Sequence, residues 1–299
     1  MKFSAIAIKF CAISTAAVMF ASCGGDSSKE DSEGLDTAVV AEVKTKTQKV
    51  FFAIPSPLEI ANLIKKSGAN FDKTILNPVA NASKYTTQAA MAINLGIYGA
   101  DLSYTSIFDQ TQESLKYMQA TKKLADGLGI GDALSEEALT RLEKNSTNKD
   151  SLLQIVSDSY YNTDAFLKEN DKGHISSLVI AGGWIEGLYI STKIAEKSTK
   201  NQDIVKHIAD QKLTIENLKG LLETSQSDES VKALLADINA LSEIFGTLKA
   251  EEVTAKEAPK SEGVTTLGGD EPATEIKVSK EQLATISAKV LEIRTKLVK

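Results

Sequence analysis

The sequence predicts an all-α fold: a multi-helix bundle in which two related three-helix units can be traced, with a C-terminal helix docked after a flexible linker. Three observations lead there. From residue 57 to 248 apolar side chains recur at spacings of three and four, almost nothing alternates with period two, and helix starts are announced by capping residues.

The segment KVFFAIPSP, 49–57, is the exception, a short strand or an extended lead-in that Pro55 and Pro57 keep short. Ser56 then serves as N-cap and Pro57 as first helical residue of PLEIANLIKKSG, which Gly68 ends. After the loop NPVANASKY, 77–85, a long helix is expected from near Ser83 to 107, holding AAMAINLGIYGADLSY. Helix 109–128 stops at Gly127 and Gly129, 132–145 is short, and 149–169, 174–198, 201–224 and 228–248 follow. In the last of these Val231, Leu234, Ile238, Leu241, Phe245 and Leu248 form a continuous seam, matched in 201–224 by Ile204, Ile208, Ile215, Leu218 and Leu222. Residues 249–275, rich in charge, proline and glycine, read as a linker. Residues 276–299 form an amphipathic helix opened by a Ser279–Gln282 capping box, with Leu283, Ile286, Val290, Ile293 and Leu297 on one side. Two heptads are too short for a free coiled coil, so this helix is expected to dock on the bundle domain, 49–248, with exchange or a partner-bound helix as the alternative.

The two halves of the bundle align with one another. Residues 112–128 lie without gaps on 202–218, Tyr98 and Leu102 fall on Trp184 and Leu188, and Ser151, Asp158 and Phe166 fall on Ser230, Asp237 and Phe245. A duplicated three-helix unit accounts for this, as does the general likeness of amphipathic helices; helix 132–145 would be an insertion in the first half.

The N-terminus has the build of a secretory signal peptide, residues 1–22, with Lys2 and Lys9 ahead of an apolar run from Phe10 to Phe20. The sequence Phe20-Ala21-Ser22-Cys23 resembles the lipobox of bacterial lipoproteins, which implies acylation, palmitate among the chains, at Cys23 and anchorage to a membrane without a span. Cys11 is lost with the signal, so no disulfide is expected. Residues 23–48 carry the lipidated cysteine and a polar, acidic, flexible tether. Gly24, where an aspartate would mark inner-membrane retention, favours the outer membrane, and Lys29, Glu30 and Asp31 are similar to surface-export signals of Bacteroidota, so the periplasmic face and the cell surface both stay open. Net charge is −6, and −8 once Lys2 and Lys9 are removed, which argues against nucleic acid as a partner.

NPVANASKY at 77–85 and NLGIYGADL at 94–102 resemble a group of Bacteroidota outer-membrane lipoproteins with no assigned activity. That resemblance implies an envelope location but carries over no catalytic residue or cofactor.

The candidates for chemistry centre on IAGGWIEGLYIS, 180–191. The run around it, Ile175 to Thr192, is eighteen residues with one charge, a length that would admit a membrane span, but Glu186 at mid-hydrocarbon would cost several kcal/mol. The second such helix, with Asp101, suggests instead a central buried pair in a soluble bundle. Glycines 96, 99, 182, 183 and 187 cost about 1 kcal/mol each in helix propensity, and close approach of a neighbouring element is the usual gain. His174 and His207 are far apart and no HExxH or cysteine cluster exists, so no metal or other cofactor is expected. No GxSxG or GK[ST] occurs either. Asp101 and Glu186 could serve acid–base work, or be structural acids satisfied by a backbone donor or by Tyr98, Tyr104 or Tyr189. A groove between the halves, lined by Tyr98, Asp101, Tyr104, Trp184, Glu186 and Tyr189, is the expected place for a small apolar ligand or a partner helix. The expected role is non-catalytic binding or scaffolding at the envelope; the alternatives are a helical enzyme using Asp101 and Glu186, or a subunit of an envelope complex.

Overall fold

The computed structural model describes residues 54–131, 140, 144, 149–170, 172–197, 202–253 and 273–299. The signal peptide, Cys23, the tether, residues 49–53, nearly all of the expected helix 132–145 and linker residues 254–272 lie outside these.

The architecture is an all-α multi-helix bundle. Its helices are α1 (Pro57–Lys66), α2 (Gln88–Ile107), α3 (Thr111–Gly127), α4 (Lys149–Glu169), α5 (Gly173–Lys197), α6 (Gln202–Glu223), α7 (Glu229–Gly246) and α8 (Lys280–Leu297). Local chemistry sets the ends. Ser56 and Glu59 close a reciprocal capping box on α1, Asp228 accepts from the amides of Ser230 and Val231 at the start of α7, and Ser279 with Gln282 caps α8. Gly68 and Gly129, both at positive φ, turn the chain after α1 and α3.

Two expectations are corrected. The long helix starts at Gln88 rather than near Ser83, because Thr87 caps it by accepting from the Ala90 amide, while Val79–Ser83 form a separate 3-10 turn. The ends of the expected linker are not coil: β1 (Lys249–Val253) and β2 (Ala273–Lys277) form a two-stranded antiparallel ladder with Ala250 opposite Ile276. Its register sets Lys249 opposite Lys277, a like-charge pair that disfavours the ladder locally. Burial of Ile276 with β2 against α6 offsets it.

The core is organised around α2 and α5, the most extensively packed pair of helices. Every residue in the most apolar stretch of α5 is buried, as are all but Gly99 between Ala92 and Ile107 of α2. Helix α5 is long and apolar enough to cross a membrane, but it spends that surface inside the bundle. The two helices meet through glycine. A Cβ on Gly96 would overlap the carbonyl oxygen of Val179, and a Cβ on Gly182 that of Ile93. The offset of 86 residues that aligns Tyr98 with Trp184 carries Gly96 to Gly182 and Ile93 to Val179. The contact is therefore reciprocal, as at an interface between two equivalent units. Beyond this pair α3 packs on α2 as α6 packs on α5, but the halves then diverge: α4 packs on α2, whereas α7 packs mainly on α6.

The seams read from the sequence on α6 and α7 are buried throughout. Helix α8 returns across the bundle onto α5, α7 and α2, with Ile286, Val290 and Ile293 buried.

Candidate functional site

The polar residues singled out in the sequence meet inside the bundle where α8 docks. Glu186, wholly buried on α5, accepts two hydrogen bonds from Arg294 of α8, Nε to Oε2 at 2.9 Å and a terminal guanidinium nitrogen to Oε1 at 3.0 Å. The same guanidinium lies 4.4 Å from the centroid of the Tyr189 ring and reaches the Ile75 carbonyl at 3.4 Å. A planar fork on a carboxylate, stacked on an aromatic face, is an arrangement lysine cannot reproduce.

Asp101, wholly buried on α2, sits against this pair. Its Oδ2 accepts from the Asn77 amide at 3.2 Å, while its Oδ1 receives no hydrogen bond. Burial is the largest cause pushing its carboxyl well above the usual range, the negative charge of Glu186 adds to it, and Arg294 opposes. Burial also pushes Glu186 upward against the pull of Arg294. Both Glu186 oxygens are taken by the guanidinium whereas Asp101 Oδ1 has no hydrogen-bond partner, so of the two acids Asp101 is the one burial holds toward its neutral form.

Amides and phenols extend the network to the end of α8. Asn94 Nδ2 donates to the Leu297 carbonyl at 2.9 Å, and the Tyr85 hydroxyl to that of Val298 at 3.3 Å. Both are carbonyls at the helix C-terminus, which lack partners within the helix. Asn77 Nδ2 donates to Tyr85 and to Asn94, and its carbonyl accepts from Tyr117. The segments NPVANASKY and NLGIYGADL thus fold together and grip the C-terminal helix. On the other edges of α8, Ser287 bonds Glu196 and Lys296 pairs with Asp237 at 2.8 Å.

The six residues expected to line a groove do not surround an opening. All are buried, between 0% and 7% exposed. Tyr98 donates to the Pro78 carbonyl at 2.9 Å, and Tyr104 accepts from the Asp72 amide at 3.1 Å. Trp184 points to α6, where its indole N–H donates to Gln211 at 2.9 Å. Asp101, Glu186 and Tyr189 are brought together; Tyr104 and Trp184 serve other contacts. Burial drives the Tyr104 hydroxyl up to about 12 and keeps Tyr98 and Tyr117 protonated beyond that, so none of the three is an acid near neutral pH. His207 is buried and held neutral by desolvation. Among the described residues no three His, Cys, Asp or Glu side chains are gathered for a metal ion.

Arg294 is the site residue that sequence reasoning missed. The acids were expected to find a backbone donor or a tyrosine, which holds for Asp101 and fails for Glu186. One signal was present: of 34 basic residues only Arg141 and Arg294 are arginine, so an arginine on the seam edge of the last helix marks a need for its fork. Comparison with protein-family models, with curated proteins and with solved structures yields no match.

Proposed function

We propose that this chain is a lipid-anchored cell-envelope protein, held at the outer membrane through Cys23, whose helical bundle has a non-catalytic binding or scaffolding role. The observation that carries the non-catalytic part is the state of Glu186. Its two oxygens are committed to Arg294 and its surroundings are closed. An acid–base catalyst needs a carboxyl that can reach a substrate proton. Here the pair fastens α8 to the core, which favours structure over the alternative of an enzyme using Asp101 and Glu186. The sequence Phe20-Ala21-Ser22-Cys23 and the acidic tether support the anchored location.

Two experiments test the reading. Metabolic labelling with a palmitate analogue should tag the wild type and not Cys23→Ser; equal labelling would end the anchoring proposal. A Glu186→Leu/Arg294→Met double variant should keep the fold while removing the carboxylate. If that folded variant fails to restore the envelope phenotype of a deletion strain, and a core substitution of equal stability restores it, the enzyme reading replaces the scaffold.

A further inference from the structure

We propose that α8 is a proton-gated latch: it stays docked while the Asp101–Glu186 pair holds a proton, and rising pH releases it from its seat on α2, α5 and α7. The proposal rests on the reading of Glu186 and Arg294 as the fastening of α8, and is independent of anchorage at Cys23.

The cluster sets two wholly buried acids against one guanidinium, and both oxygens of Glu186 already accept from Arg294. Asp101 receives only the Asn77 amide, on Oδ2. Among the described residues its Oδ1 is the one buried side-chain nitrogen or oxygen without a hydrogen-bond partner. The polar groups nearby are engaged elsewhere. Tyr98 of α2 donates to the Pro78 carbonyl, Tyr117 of α3 to that of Asn77, and Tyr85 of the preceding loop to that of Val298. Tyr189 of α5 stacks on the guanidinium, and burial pushes all four phenols above their usual range. Helices α1 and α4 also pack on α2, but among the described residues neither places a hydrogen bond on Asp101.

One proton therefore decides the balance. With it, one carboxylate faces one guanidinium. Without it, two buried carboxylates share a single cation and one oxygen faces no donor, a charge that nothing compensates. Burial, with the charge of Glu186 adding to it, holds the Asp101 proton well above the ordinary carboxyl range.

Relief comes through α8 because it is the least secured wall of the cluster. Helices α2 and α5 interlock backbone against backbone at Gly96 and Gly182, whereas α8 seats three buried apolar residues, Ile286, Val290 and Ile293. Its edge contacts, Ser287 with Glu196 and Lys296 with Asp237, use a carboxylate and an ammonium that are each close to half exposed, where such bonds contribute little. Departure of α8 takes Arg294 away but lets water solvate both acids, and the proton passes to solvent. Once α8 is undocked, Asp101 titrates near its ordinary value of 3.8. Opening of α8 thus grows with pH between that value and the raised docked one, by up to about tenfold per pH unit for one linked proton.

Amide exchange of the full chain, divided by the intrinsic rate at each pH, tests the latch. From pH 5 to 9 the protection of α8 should fall by up to about tenfold per pH unit while that of α6 and α7 holds. Asp101→Asn should flatten the fall because the acid is gone, and Glu186→Gln should flatten it by leaving Arg294 to Asp101 as its sole counter-ion. The two variants remove different acids, so a folding failure in one leaves the other as the test. Protection of α8 that does not change with pH, a fall shared equally by α6 and α7, or a slope that survives in a folded variant would overturn the latch. Arg294→Ala separates the two readings. An α8 still protected in that variant overturns the fastening and the latch together, whereas a loosened α8 beside a wild type without pH dependence overturns the latch alone.

Discussion

Removing Arg294 tests the account of the C-terminal helix most directly. Replacement by alanine leaves Glu186 fully buried beside Asp101 with no countercharge, and breaking a buried pair in this way costs about 3–5 kcal/mol. Against that stands the apolar docking of α8. Ile286, Val290 and Ile293 are its fully buried apolar residues, contributing about 1.5–3 kcal/mol each before the entropy of ordering the helix is set against them. The lost pair is therefore of the same size as the net docking energy. The expected result is release of α8, which lets water reach Glu186, before the rest of the bundle unfolds. Hydrogen exchange should show residues 280–297 losing protection in Arg294→Ala while α6 and α7 keep theirs. Combining Arg294→Met with Glu186→Leu should recover most of the stability, since apolar replacement of a buried pair is often neutral or favourable by about 1–4 kcal/mol. A loss below about 1 kcal/mol in Arg294→Ala, or unchanged protection of α8, would refute the reasoning, because Glu186 would then be satisfied by something other than Arg294.

Asp101→Asn should alter the pH dependence of stability with a definite sign. The folded state holds the Asp101 proton above its unfolded value of 3.8, so its contribution is complete below that pH and is lost as pH rises toward the folded value. In urea melts from pH 5 to 9 the difference between wild type and variant should therefore move in the variant's favour as pH increases; a constant difference would mean that Asp101 is ionised. Gly96→Ala and Gly182→Ala should each cost about 1–3 kcal/mol or more by forcing α2 and α5 apart, whereas Gly99→Ala should gain about 0.5–1 kcal/mol, all measured by denaturant midpoints. Trp184→Phe should lose about 0.5–1.5 kcal/mol through the missing hydrogen bond to Gln211, and no loss would show that water replaces the indole donor.

Most of the architecture was legible before any coordinates. Helix spacing on α6 and α7 marked residues that are buried, on α8 it did so for Ile286, Val290 and Ile293 while Leu283 and Leu297 are half-buried, and Ser56, Gly68 and Ser279 mark ends by short-range chemistry that acts over three or four residues. The β1–β2 ladder was not legible, because its local pairing is unfavourable and only Ile276 against α6 favours it. The start of α2 was misplaced for a similar reason: Lys84 to Thr86 are compatible with helix, but Tyr85 is turned inward to meet Asn77 and the end of α8.

What the sequence determined by itself is the class of fold, the buried pair of central helices and the importance of Asp101 and Glu186, since periodicity, caps and two isolated acids in apolar helices are all local facts. What only the tertiary structure decided is what those acids do. Arg294 lies 108 residues from Glu186, and no spacing rule links them; they meet because the apolar seam of α8 docks on α5, α7 and α2 and carries the guanidinium onto the carboxylate. The same packing turned Trp184 toward Gln211 of α6 and Tyr98 toward the Pro78 carbonyl, closing the expected groove.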